Sequence, residues 1–147
     1  MDIDWDNVNN KTPMFSLEDM NFKCKVVNVY DGDTCKVVFP LNGHIYRWNV
    51  RLTGYDTPEM RPPRNQPNRD EEKKAAYAAR DFLKSKVMNE KQLVYIKCGE
   101  FDKYGRLLGT LFINEDDEKS VNDLMIQMGH GYVYDGGTKK KFVTENN

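Results

Sequence analysis

Hydrophobic and polar residues alternate along two stretches in the N-terminal half of the chain, with a short β-branched run between them. The alternating stretches are Phe22–Tyr30 and His44–Thr53, and the β-branched run is Thr34–Phe39; the turns Asp31-Gly32-Asp33 and Pro40-Leu41-Asn42-Gly43 separate the three. A period of two is typical of strands with one buried face, and Asn-Gly is a strong hairpin signal. The pattern therefore predicts an antiparallel meander of three strands.

The C-terminal half combines two helical patterns with two further strands. Residues 69–89 predict a helix, because apolar side chains recur there at helical spacing. These side chains are Ala75, Ala79, Phe82, Leu83 and Val87. Strands are expected at 93–97 and 107–113, and a second helix is expected after Ser120, with Asp123 at the capping-box position. Five main strands and about two helices predict a β-rich α+β fold, a five-stranded antiparallel Greek-key barrel of the OB-fold type.

Two end segments lie outside this pattern. Residues 1–20 are rich in Asp and Asn and are predicted to form an irregular arm, whereas residues 21–135 form the predicted barrel domain. Residues 136–147, with the run Lys139-Lys140-Lys141, are predicted as a basic tail. A chain of 147 residues is long enough for one domain with its own core.

Composition restricts the functional classes. Lys and Arg number 22 against 23 Asp and Glu, so any surface that attracts nucleic acid must be local. No apolar run approaches the roughly 18 residues of a membrane span. Three cysteines without paired spacing, and an acidic start without signal-peptide features, predict reduced thiols in an intracellular protein.

Acidic residues gather at predicted turns and strand ends, at Asp31, Asp33, Asp56 and Glu59. Carboxylates combined with a carbonyl and waters suit Ca²⁺ or, less flexibly, Mg²⁺. Asp-Gly-Asp is also ordinary turn chemistry, so a turn without a metal stays open on this motif alone.

Two arginines complete the candidate chemistry. Arg51 lies in a strand and faces the carboxylates if the alternation holds, and Arg106 follows a Tyr-Gly turn. Guanidinium groups can clamp a phosphate and stabilise the charge that a phosphodiester gains in its transition state. Either arginine alone is more often a surface salt bridge, but together with the carboxylates the two arginines predict a metal-assisted phosphodiesterase.

Three separated motifs are similar, in order and spacing, to the staphylococcal nuclease (thermonuclease) family. They are Asp31-Gly32-Asp33-Thr34, the segment from Arg51 to Asp56-Thr57-Pro58-Glu59, and Asp102-Lys103-Tyr104-Gly105-Arg106; Tyr132-Val133-Tyr134 is similar too. The resemblance runs from about residue 22 to residue 134. It implies an OB-fold nuclease that uses Ca²⁺ to cleave DNA or RNA and leaves 3′-phosphate ends.

The resemblance also implies a ligand set for the metal. Asp33 and Asp56 resemble direct calcium ligands, and Thr57 resembles a ligand through its backbone carbonyl. Asp31 resembles an outer-shell group that acts through water.

Catalytic and substrate-binding roles follow from the same resemblance. Glu59 resembles the residue that orients or deprotonates the attacking water. Arg51 and Arg106 resemble the phosphate clamp, and Arg106 also resembles the group that assists the leaving 5′-oxygen. The residues that resemble nucleotide-binding positions are Lys103, Tyr104, Tyr132 and Tyr134.

The expected partner is single-stranded or frayed DNA or RNA, because tyrosine faces stack on any base, and the expected state is a monomer. Two alternatives stay open: a related nucleic-acid-binding module without catalysis, and a structural module that only binds calcium. The calcium-only module would not need Arg51 and Arg106. Only 13 residues follow Tyr134, too few for the third helix of secreted bacterial members, and the N-terminal arm is a candidate substitute.

Overall fold

The computed structural model describes residues 1–89, 91–134 and 141–143. A 3₁₀ turn at Trp5–Asn7 precedes the strands and helices. In chain order these are β1 (Asn21–Asp31), β2 (Thr34–Leu41), β3 (His44–Leu52), β4 (Tyr55–Asp56), α1 (Arg69–Val87), β5 (Val94–Phe101), β6 (Leu107–Phe112), α2 (Val121–Gln127) and β7 (Tyr132–Val133). The five predicted strands and both predicted helices are confirmed. The two-residue strand β4 was not among the predicted elements.

Five strands form a closed barrel in the order β1-β2-β3-β6-β5, which confirms the predicted OB-fold architecture. One pairing differs from the antiparallel prediction, because β3 and β6 run parallel, with Val50 opposite Leu107 and Arg51 opposite Leu108. The reason is geometric: a ring of five strands cannot reverse direction at every step and still close. The parallel pair needs a long crossover connection, and α1 lies within it.

The buried face of α1 closes one side of the barrel against β1. Ala79, Leu83 and Val87 are buried, as their spacing predicted, whereas Ala75 is half-buried and its neighbour Ala76 is buried instead. Burial of this apolar stripe, rather than intrinsic helix propensity, is what stabilises such a helix. It also fixes α1 against the turn that follows β1.

The end of the N-terminal arm belongs to the barrel. Leu17 is only 1% exposed and packs in the core. The backbone N–H of Asp19 donates to the carbonyl of Cys98 at 2.9 Å, and the N–H of Cys98 donates to the carbonyl of Met20 at 2.8 Å. The arm therefore contributes a core side chain and continues the pairing of β1 with β5.

After Tyr134 the structure describes only residues 141–143, so the predicted basic tail lies largely outside the described residues. Within that segment, the carbonyl of Phe142 accepts a hydrogen bond from Asn68 Nδ2 at 3.3 Å. Cys24, Cys35 and Cys98 are buried free thiols. Across the described residues, helix length and apolarity never reach what a bilayer crossing requires.

A capping box begins α2, as the sequence predicted. Ser120 Oγ accepts from the N–H of Asp123 at 2.9 Å, and the carboxylate of Asp123 accepts from the N–H of Ser120. The buried Asn122 amide donates to the carbonyls of Thr53 and Gly109 and accepts from the N–H of Leu111. These bonds attach α2 to β6 and to the turn after β3, where the candidate site begins.

Candidate active site

The turn between β1 and β2 supplies the first two acids. Asp31 Oδ1 accepts from the N–H of Asp33 at 3.1 Å, which closes the turn, and the carbonyl of Asp33 accepts from the N–H of Leu52 at 2.8 Å. A Cβ atom at Gly32 would lie 2.7 Å from Thr57 Cγ2 and 2.8 Å from the Cβ of Ala79. The glycine is therefore required because the turn packs directly against β4 and α1.

Two buried carboxylates converge on Arg51. Asp33 is 6% exposed and Asp56 is 8% exposed. The Arg51 Nη1 atom lies 3.4 Å from Asp33 Oδ2, and Nη2 lies 3.6 Å from Asp56 Oδ1. The same guanidinium donates to the carbonyls of Leu52 and of Tyr55, the latter at 3.0 Å. Arg51 thus faces the carboxylates, as predicted, and each of its two terminal nitrogens is held by a backbone carbonyl.

The turns on either side of this cluster are joined by Tyr55. Its buried hydroxyl donates to the carbonyl of Gly32 at 2.6 Å, which holds the β1–β2 turn against β4. Burial raises the pKa of Tyr55 well above its ordinary value, so the phenol stays protonated and donates. Sequence reasoning missed Tyr55, because nothing local indicates a partner so distant along the chain.

The electrostatics of the cluster favour a cation. Burial first, and then the charge of Asp31, raise the pKa of Asp33 to about 6, although Arg51 pulls in the opposite direction. Asp31, Asp33 and Asp56 set three carboxylates against the single guanidinium of Arg51. An added positive charge would relieve this excess and restore the pKa of Asp33 toward its ordinary range.

The donors suit a hard ion that keeps part of its water shell. Asp33 and Asp56 offer oxygens alone, and Thr57 lies between them, with its hydroxyl 3.3 Å from Asp33 Oδ2 and its N–H 3.0 Å from Asp56 Oδ1. Within the described ranges, no group of three or more His, Cys, Asp or Glu side chains is placed to enclose a metal ion. Two carboxylates with water ligands are what Ca²⁺ and Mg²⁺ accept, so the residues fit a divalent cation.

Arg106 is held by an acid in its own turn. Asp102 Oδ2 accepts from Arg106 Nε at 2.7 Å, and Asp102 Oδ1 accepts from the N–H groups of Tyr104 and Arg106, each at 2.9 Å. Burial acts to raise the pKa of Asp102, but the hydrogen bonds from Arg106 and Tyr104 hold it below its ordinary value. The arginine is therefore oriented before any ligand arrives.

The aromatic residue of the same turn projects into solvent. Tyr104 is 72% exposed, and its ring centroid lies 5.6 Å from the guanidinium carbon of Arg106 and 5.2 Å from Lys103 Nζ. This arrangement puts an exposed aromatic ring beside two cations, and rings and cations are the groups that bind bases and phosphates.

The parallel register brings the backbones of the two arginines close together. Arg51 is paired with Leu108, and Arg106 stands two residues before Leu108, immediately before β6 begins. The backbone of Arg106 therefore lies near Arg51, across the β3–β6 seam.

Glu59 lies in the segment that follows β4 and is exposed. Its backbone N–H donates to Glu72 Oε2 at 2.7 Å, and Gln66 Nε2 donates to Glu72 Oε1 at 2.6 Å. Glu72 is 4% exposed in the first turn of α1. Sequence reasoning missed Glu72. The available signal was its position, because an acidic residue four residues before Ala76 falls on the buried face of α1.

The C-terminal tyrosines adjoin the acidic cluster through β7. Tyr132 pairs with Asp56, and the N–H of Tyr134 donates to the carbonyl of Gly54 at 3.1 Å. Tyr132 also lines a cavity of about 500 Å³, together with Pro58 and Phe142. The fold thus places Tyr132 beside the carboxylates and Tyr134 beside the turn before them.

Comparison with known proteins gives one family. The sequence pattern of the family described as staphylococcal nuclease homologue matches residues 49–146. An uncharacterized protein of Methanocaldococcus jannaschii is 32% identical over 124 residues, covering 75% of this chain and 58% of that protein. Endonuclease YncB of Bacillus subtilis is 34% identical over 125 residues, covering 78% and 53%. Thermonuclease of Staphylococcus hyicus is 34% identical over 92 residues, covering 63% and 49%. The chain spans about half the length of these relatives.

Proposed function

The chain belongs to the staphylococcal nuclease homologue family, and from this membership and the site geometry we propose that it is a metal-dependent endonuclease acting on DNA, RNA or both. The observation that carries the proposal is the convergence of buried Asp33 and Asp56 on Arg51. The relatives named as endonuclease and thermonuclease support the same reaction class.

Asp33, Asp56 and the backbone carbonyl of Thr57 are proposed to hold a divalent cation, with Asp31 acting through a water. Ca²⁺ is the proposed ion, because the family resemblance implies it and because Ca²⁺ accepts flexible oxygen coordination. When bound, the ion supplies positive charge that offsets the charge of the phosphodiester.

The remaining steps belong to the side chains. Glu59 accepts a proton from the water that attacks phosphorus. Arg51 and Arg106 donate to the phosphoryl oxygens as charge accumulates on them, which lowers the barrier because their positions are fixed beforehand. The bond from phosphorus to the 5′-oxygen breaks, Arg106 stabilises the leaving oxygen as that oxygen takes up a proton, and the products are a 3′-phosphate and a 5′-hydroxyl.

Tyr104, Tyr132 and Tyr134 are proposed to stack on bases, and Lys103 to contact a phosphate. Stacking requires unpaired bases, so single-stranded or frayed DNA or RNA is the proposed substrate, bound by a monomer. Sedimentation velocity of the protein alone tests the monomer.

Cleavage of a labelled single strand and of a plasmid, each with Ca²⁺, Mg²⁺ or EDTA, tests the proposal. We expect cleavage that requires Ca²⁺ and leaves 3′-phosphate ends. The Glu59→Gln protein, which also controls for contaminating nuclease, is expected to lose at least about 10²-fold in rate. A folded, metal-binding protein without cleavage would refute catalysis and favour the binding module or the calcium-only module.

A further inference from the structure

We propose that Glu72 is a positioning residue for catalysis, acting through the Glu59 loop, which we define as residues 59–66. This inference rests on the proposed function, because it assigns Glu59 the role of base. Glu72 itself lies on α1 and contacts the loop at both of its ends. It is the buried link between the barrel-packed helix and the segment that carries Glu59, beside a second bond in which Arg69 Nε donates to the carbonyl of Pro62 at 3.3 Å.

Both carboxylate oxygens of Glu72 are committed to the loop. Oε2 accepts from the N–H of Glu59 and Oε1 accepts from the side-chain amide of Gln66, at 2.7 Å and 2.6 Å. A carboxylate makes stronger hydrogen bonds than a neutral acceptor, and here water is largely excluded. The first turn of a helix also favours a negative charge, so the buried carboxylate is stabilised where it stands.

The backbone of Glu72 is held rigidly within α1. Its own N–H donates to the carbonyl of Asn68 at 3.0 Å, and α1 is fixed by the buried Ala76 and Ala79 beneath it. On the other side of Glu59, β4 holds Asp56 in the acidic cluster. The backbone of Glu59 is therefore held from β4 and from α1.

Loss of the hydrogen bond between Glu72 and the N–H of Glu59 should displace Glu59 while leaving the cluster of Asp33, Asp56 and Arg51 unchanged. A displacement of about 1 Å at a reacting group can reduce a rate by about 10²-fold. Glu72→Gln keeps the size of the side chain, but its amide cannot accept both hydrogen bonds. We expect this variant to lose about 10- to 100-fold in kcat with little change in KM.

The matched control is Glu71→Gln, which removes an equal charge from the exposed neighbouring position of the same helix turn. We expect its kcat to equal that of the wild type. Gln66→Ala serves as a second variant, because it leaves the buried carboxylate in place and removes one of its two partners. It should lose less kcat than Glu72→Gln, and it keeps the test valid if Glu72→Gln fails to fold.

A double-mutant cycle separates positioning from general weakening of the fold. If Glu72 acts through Glu59, Glu72→Gln should cost nothing further in the Glu59→Gln background. If Glu72→Gln lowered kcat by the same factor in the Glu59→Gln background as in the wild type, the proposal would be overturned. A wild-type kcat in the Glu72→Gln single variant would also overturn it.

Trypsin digestion supplies a readout that does not depend on turnover. Arg64 is exposed within the Glu59 loop, and the bond to Asn65 is a trypsin site. We expect Glu72→Gln to be cut there at least about 10-fold faster than the wild type or Glu71→Gln, because the loop opens more often. Unchanged cutting would overturn the anchoring by Glu72. A wild-type protein without nuclease turnover would overturn the proposed function, and faster cutting would then still support the anchoring.

Discussion

Replacing Asp33 by asparagine is expected to stabilise the metal-free protein at neutral pH. Burial and the charge of Asp31 raise the pKa of Asp33 from an ordinary value of 3.8 to about 6. Between these two values the folded protein holds a proton that the unfolded chain releases. The stability that Asp33 contributes is therefore fully present below pH 3.8 and is lost as the pH rises through 6.

The pKa change sets the size of the effect. One pKa unit corresponds to about 1.4 kcal/mol, so a rise from 3.8 to about 6 corresponds to roughly 3 kcal/mol in the free energy of unfolding. Asparagine has the shape of the protonated acid and does not titrate. Between pH 4 and pH 7, the free energy of unfolding of the variant should rise relative to that of the wild type by up to roughly this amount.

Urea unfolding in EDTA, repeated across this pH range, measures the difference between Asp33→Asn and the wild type. Carboxyls that the two proteins share cancel in the difference to first order. Asp116→Asn is the control, since it removes an equal charge from an exposed position in the loop between β6 and α2. Adding Ca²⁺ should stabilise the wild type more above pH 6 than below it, because a ligand carboxyl must be deprotonated.

A difference that stays flat with pH would refute the reasoning, since it would mean that Asp33 titrates at its ordinary value in the folded protein. The reasoning would also be refuted if, in EDTA, the free energy of unfolding of the wild type rose relative to that of the variant as the pH increased. That result would show that Arg51 outweighs burial and Asp31 together.

Further predictions concern packing, capping and catalysis. Gly32→Ala should lower the free energy of unfolding by about 1–3 kcal/mol in urea, because its Cβ would press on Thr57 and Ala79; an unchanged midpoint would contradict the close approach. Ser120→Ala should cost about 1 kcal/mol by the same measurement, since it removes the α2 cap; a neutral result would mean that the helix needs no cap. Arg106→Ala should reduce kcat/KM at least about 10²-fold on a short labelled strand, and near-wild-type turnover would remove it from the mechanism. Raising salt should weaken binding to long strands in a fluorescence titration, and a flat response would exclude phosphate contacts.

Features set by neighbouring residues were predictable from the sequence. Asn42 and Gly43 both adopt positive φ, at 51° and 83°, as an Asn-Gly hairpin turn requires. The capping box of α2 spans only Ser120 to Asp123. In such cases the residues that decide the structure lie within a few positions of one another, so the pattern along the chain contains the whole interaction.

Contacts between distant segments were beyond sequence reasoning. The hydroxyl of Tyr55 reaches Gly32, 23 residues earlier, and the carboxylate of Glu72 reaches Glu59, 13 residues earlier. Neither partner can be read from local spacing, because both depend on how α1 and β4 pack on the barrel. The residue pattern alone singled out the acidic residues and predicted that Arg51 faces them, and the resemblance added their roles. The distances from Arg51 to Asp33 and Asp56 came from the fold.

The parallel pairing of β3 and β6 has a consequence for how the protein matures. Arg51 belongs to the meander, which can form from neighbouring segments, whereas Arg106 arrives only with the hairpin of β5 and β6 beyond the crossover. Contacts between distant segments carry the largest loop-closure entropy and tend to form late in folding. A folding intermediate with an open barrel would therefore hold the two arginines apart, so the proposed phosphate clamp is complete only when the β3–β6 seam has closed.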